Sequence, residues 1–223
     1  MVGSDPERVA GQDAVGTALS AFRARSGWSD TAFVATSATY QDALSAGPFA
    51  YPRRCPIFLA DASGHLGDEV LEALSQGGFK KVVVLGGDAA VPVSEEARIA
   101  AATGSSCQIE RLAGQDAVAT CAEVIKWETT QGFSGSGGAA IASADGWWDA
   151  LSAASCCGRN NLHLALVDRN LDNQVALHAL AKVQQTGEGT YYERWGVVIG
   201  GTAAVADRYD VSLPLRNDGF YPA

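Results

Sequence analysis

The sequence predicts an α/β protein made of two tandem units, each a parallel sheet with helices on both faces. Three observations predict this. The chain repeats itself, strand-like and helix-like segments alternate in each half, and one strand is an unbroken apolar run. RVAGQDAVGTALS at Arg8–Ser20 returns as RLAGQDAVATCAE at Arg111–Glu123. YQDALSAG at Tyr40–Gly47 returns as WWDALSAA at Trp147–Ala154, and LGGDAAV at Leu85–Val91 returns as IGGTAAV at Ile199–Val205. Three blocks recurring in one order mark two copies of a unit of about 100 residues, the size of a small domain. The units run over 8–110 and 111–210, with a tail at 211–223.

The elements of the first unit follow in order. Val15, Ala18, Leu19 and Phe22 share one helical face, so a helix spans Asp13–Arg25. Ala32–Thr36 is a short apolar strand. Asp42 then opens a short helix, ALSAGPFAY, that ends near Pro52. Pro56–Ala60 is a second strand, and Gly67–Gln76 is a helix facing Val70, Leu71 and Leu74 inward. Lys81–Leu85 is continuous in valine and leucine, as in a strand buried on both faces. Ser94 caps a last helix that reaches about Thr103.

The second unit follows the same grammar. It has helix Ala117–Thr130, strand Ala139–Ala142, a helix from Asp149, strand Leu162–Val167, helix Asp172–Gln185 and strand Gly196–Ile199. Alternation of this kind gives right-handed crossovers and parallel sheets. GFSGSGG at Gly132–Gly138 is a connector between helix and strand.

Composition narrows the function. The 223 residues are 47% hydrophobic and 18% charged, enough for a sizeable core. The formal net charge is −9 and the pI about 4.7, which argues against a nucleic-acid face and a polybasic membrane patch. No run of about 18 apolar residues is present, so no membrane insertion is expected. MVGSDPERVAG carries no signal-peptide core. Cys55, Cys107, Cys121, Cys156 and Cys157 lack zinc spacing and read as buried thiols.

The candidate sites are few. Gly86-Gly87 and Gly200-Gly201 follow strands, as a nucleotide-binding turn does, but the third glycine of the dinucleotide fingerprint is missing. They read first as turns needing permissive backbone angles, with ligand contact as the alternative. Asp42 and Asp149 each follow a strand and begin a helix, where a carboxylate can take backbone N–H bonds or meet a ligand. Asp13 and Asp116 read as helix caps, and Glu95-Glu96 as first-turn carboxylates. His65, His163 and His178 are isolated, so no metal or catalytic constellation is expected. Arg53, Arg54, Arg111 and Arg159 are the candidate anion contacts, because the guanidinium fork suits phosphate and carboxylate. Arg8 occupies the position of Arg111 in the repeat. Trp147-Trp148 can stack on sugar rings or fill a core.

The blocks RxAGxD, DALSA, PIFLAD and LGGxxAV, in order and twice over, resemble the cell wall-binding repeat 2 family of bacterial surface proteins. The resemblance covers about Arg8 to Asp210. It implies a Rossmann-like or flavodoxin-like unit used in tandem. It also implies a non-catalytic, extracellular role: anchoring a surface protein of the Gram-positive wall to an anionic glycopolymer, without a cofactor. Family members commonly carry three repeats packed as a pseudo-trimer, so a two-repeat chain raises the expectation of a homo-oligomer. The family pattern has an arginine after the aspartate of RxAGxD, where Ala14 and Ala117 stand here. The alternatives left open are a small-molecule or nucleotide-binding enzyme on the same fold, and a protein-interaction scaffold.

Overall fold

The computed structural model describes residues 7–133, 138–169, 175–183 and 195–205. Within them the two-unit α/β plan holds. The first sheet contains β1 (Thr31–Thr36), β2 (Ile57–Ala60), β3 (Lys81–Leu85) and β4 (Gln108–Leu112), in the order β2-β1-β3-β4. The second contains β5 (Gly138–Ser143), β6 (His163–Val167) and β7 (Trp195–Ile199), in the order β6-β5-β7. Every pairing is parallel. The two orders match over their first three strands, as the repeat requires.

The helices are α1 (Ala14–Arg23), α2 (Gln41–Ser45), α3 (Gly47–Arg53), α4 (Asp68–Gln76), α5 (Ser94–Thr103), α6 (Ala117–Thr130), α7 (Trp147–Asn160) and α8 (Val175–Val183). Asp13 and Asp116 cap α1 and α6, accepting the backbone N–H of Gly16 at 2.7 Å and of Ala119 at 2.8 Å. Asp172, the expected start of α8, lies outside the described residues, as do the tail and most of the GFSGSGG connector. Val82 to Leu85 are wholly buried, so β3 is covered on both faces as its composition predicts.

Three expectations change. The single helix after β1 is two, broken at Ala46; Pro48 sits in the first turn of α3, where a missing N–H costs nothing. Ser94 is the first residue of α5 and not its cap: Val93 precedes it in a helical conformation, and its N–H is taken by Asp88 Oδ1 at 2.8 Å. Gln108–Leu112 forms a strand that the segment's mixed composition does not announce. This strand begins before the repeat boundary at Arg111 and ends after it, so the first sheet borrows the opening residues of the second repeat.

The core has three parts. One cluster lies within each unit, with Val34, Phe58 and Leu74 in the first and Ile125, Ile141 and Leu166 in the second. A third joins Phe33, Phe49, Val83 and Leu85 to Val124, Trp127 and Phe133. Trp127 meets Phe49 and Phe33 edge-on, with ring centroids 4.9 and 5.7 Å apart. The two repeats therefore share buried aromatic surface.

Candidate functional site

Open parallel sheets bind ligands beyond the C-terminal strand ends, at the point where strand order reverses. Here that point lies between β1 and β3 in the first sheet, and between β5 and β7 in the second. The candidate residues meet there twice. Gly86 follows β3 with φ +93°, and a β-carbon placed on it would lie 2.5 Å from Asp42 Oδ2. Gly200 follows β7 with φ +129°, and its β-carbon would lie 2.7 Å from Asp149 Oδ2. Both conformations favour glycine, and both glycines leave room for a carboxylate. Gly87 and Gly201 face open space.

Asp42 is 7% exposed, and burial pushes its carboxyl up to about 6. It does not cap α2, which has no side-chain cap. The expected backbone-capping role is therefore corrected: the helix begins one residue earlier, at Gln41, which places Asp42 inside its first turn and not at its cap.

Arg111 reaches the same turn. Its Nη1 donates to Gly86 O at 2.7 Å and Val91 O at 2.9 Å, and its Nε to Glu96 Oε1 at 2.5 Å. Nη2 is buried with no hydrogen-bond partner among the described residues. Arg111 thus fastens the Gly86 turn to β4. The other arginines lie at the opposite, N-terminal ends of the strands. Arg53 lies over the Phe49 ring and its Nη2 is 3.4 Å from Gly132 O; Arg54 Nη2 donates to Ser26 O at 2.7 Å. Arg159 is exposed in the last turn of α7, which precedes β6. The nominated residues thus divide into a carboxylate–glycine group at one end of each sheet, joined by Arg111 in the first, and Arg53, Arg54 and Arg159 at the other.

Several features are legible only in three dimensions. Tyr40 Oη and Gln41 Nε2 both donate to Ala144 O at 3.0 Å, joining the loop after β1 to the loop after β5. Trp147 and Trp148, their counterparts in the repeat, are 47% and 64% exposed and stack with centroids 5.2 Å apart. His163 Nδ1 lies 2.9 Å from Glu128 Oε2, with both side chains buried. Burial holds the Glu128 carboxyl above its ordinary value, against the pull of His163. Cys55, Cys107, Cys121 and Cys157 are buried free thiols, and burial pushes Cys121 up to about 11, away from the reactive thiolate. An apolar groove of about 610 Å³ runs between the units, lined by Ala18, Trp28, Tyr51, Arg54, Ile57 and Leu151 among others. Among the described residues no group of three or more metal-ligating side chains converges, and no helix is long and apolar enough to cross a membrane.

A family model described as cell wall binding domain 2 matches residues 8–96 and 111–210. The chain is 32% identical over 120 residues to the N-acetylmuramoyl-L-alanine amidase LytC of Bacillus subtilis (strain 168), a match over 54% of this chain and 23% of that protein. Among solved structures, Cwp6 from Clostridium difficile superposes with a TM-score of 0.71 at 18% identity, covering 92% of this chain and 32% of its own. Cwp8 from the same organism superposes with a TM-score of 0.69 at 22% identity, covering 89% and 31%. The chain thus spans a third or less of the length of these relatives, and the two structures bear on its fold alone.

Proposed function

The chain belongs to the cell wall binding domain 2 family, and from that premise we propose that it is a non-catalytic module anchoring a bacterial surface protein to an anionic wall glycopolymer. The observation that carries the reading is the family match over both repeats. The geometry supports it. Each sheet carries an aspartate beside a glycine pair at its switch point. Duplicated sites suit a repeating ligand, because two weak contacts on one chain raise avidity without any new interaction. Any catalytic activity of a longer protein would belong to another domain.

The polymer's anionic groups would meet the arginines at the N-terminal strand ends. All three are exposed; Arg53 and Arg54 hold carbonyls that a phosphate or carboxylate could displace. Arg111 is committed to the Gly86 turn and acts through it. Asp42 with Gly86-Gly87, and Asp149 with Gly200-Gly201, would take hydrogen-bond donors of the same polymer. Co-sedimentation with purified Gram-positive walls tests this assignment. Replacing Arg53, Arg54 and Arg159 together by alanine should lower retention severalfold, and undiminished retention would remove them from the site.

Self-association is proposed through the groove. Leu44 of the first repeat packs against the second unit's core, whereas its counterpart Leu151 is 46% exposed; both line the groove. Light scattering should show a mass above that of one chain, reduced by Leu151→Glu. A monomer at all concentrations would exclude it.

A further inference from the structure

We propose that Trp147 and Trp148 form a stacking platform for a pyranose ring of the wall polymer; the proposal rests on the anchoring reading and names the part of the ligand this site takes. Two adjacent tryptophans each about half or more exposed are unusual, since aromatic side chains of this size gain most by burial. Neither lines the apolar groove.

The platform is held in advance. Ala144, just before it, accepts Tyr40 Oη and Gln41 Nε2 from the first repeat and donates its own N–H to Val167 O at 2.7 Å. Asp145 N–H donates to Ser143 Oγ at 3.1 Å. Gly146 lies under the Trp148 ring, where an added β-carbon would stand 3.0 Å from the ring. Ordering a ligand on a fixed surface costs less than ordering both partners.

The surroundings select the ligand's chemistry. The Trp pair opens α7 at the C-terminal end of β5, one residue before Asp149, whose carboxylate overlies Gly200. Asp145, two residues before the pair in sequence, is exposed, its Oδ2 accepting the Arg169 N–H at 2.7 Å. Carboxylates accept hydrogen bonds from hydroxyl and amide groups and repel phosphate. An aromatic pair with a carboxylate two residues before it and another directly after it in the chain therefore suits a neutral sugar ring better than a phosphate, with the ring's C–H face on the indole. The polymer's anionic groups would lie away from this point. The site exists once per chain, because the matching pair in the first repeat, Tyr40 and Gln41, is turned onto Ala144.

Tryptophan fluorescence of the whole chain tests this, titrated with phosphate-free neutral oligosaccharides released from purified wall polymer by hydrofluoric acid. The expected result is a saturable blue shift that is insensitive to salt, since no ion pair is involved. Trp148→Ala should weaken it by about tenfold, the scale of removing an aromatic anchor, and Trp148→Phe should restore part of it. Trp148 is 64% exposed, so the alanine variant should melt like the parent. No spectral change with the oligosaccharide, together with equal wall retention of parent and Trp148→Ala, would overturn the platform and leave anchoring intact. A parent chain not retained on walls would overturn both. A change of mass in solution on Trp148→Ala, with sugar binding unchanged, would overturn the platform in favour of a protein contact.

Discussion

Asp42 shows how a single side chain can set the pH response of a turn. Its carboxyl is buried against Gly86, and burial alone raises it to about 6. A folded value above the unfolded one means that the protonated form favours the fold. That stabilisation is complete below the unfolded carboxylate range and is lost as pH rises through about 6. The loss is on the order of 2–3 kcal/mol by neutral pH. Thermal melts between pH 4 and 8 should therefore fall with rising pH, and Asp42→Asn should flatten that slope; an unchanged slope would reassign it. Gly86→Ala places a methyl group 2.5 Å from the same carboxylate at φ +93°. It should cost about 2 kcal/mol or more, given that strained backbone alone costs 1–3, and a melt unchanged within error would contradict the close contact. The buried pair of Glu128 and His163 is a second sensitive point. Removing one partner strands the other in the core, so Glu128→Ala should cost about 3–5 kcal/mol in a denaturant titration.

At the scale of elements, β4 is the segment that makes the repeats interdependent. Arg111 ties it to the Gly86 turn and to Glu96 on α5. Arg111→Ala should destabilise the first sheet by about 2 kcal/mol, the usual worth of bonds to a charged donor. Native-state hydrogen exchange would show the loss in the amides of β4, and unchanged protection there would contradict the tie. This strand also marks a boundary of what the sequence discloses. KVVVL is legible as a buried strand because an apolar run survives on both faces, and DAVATCAEVIK as a helix because its aspartate cap and apolar positions agree. QIERL has two apolar residues in five, only one of which is buried, and reads as a loop until its partner strand is known. The split of α2 from α3 is a different case. Here the signal was present and local: Gly47-Pro48 follows Ala46, and Pro48 has no N–H to continue the first helix, so it can only stand in the first turn of a new one. The turn glycines were legible from their place after a strand. Their contact with Asp42 and Asp149 was not, because it joins the ends of two different crossovers. Trp147-Trp148 was readable as either core or sugar contact, and only the exposure of both rings separates the two.

At the scale of the whole molecule, the aromatic cluster of Phe49, Trp127 and Phe133 couples two units that the sequence presents as separate repeats. They should unfold together. Calorimetry should give one transition, and Phe49→Ala should lower it as a whole by about 3–5 kcal/mol of stability; two transitions would show independent domains. The shared core also fixes one repeat's switch point relative to the other's. The most direct test of the anchoring account is retention of the chain on purified Gram-positive walls before and after their anionic polymers are stripped. Anchoring predicts retention on intact walls and its loss on stripped ones. No retention on intact walls, or equal retention on both, would contradict it.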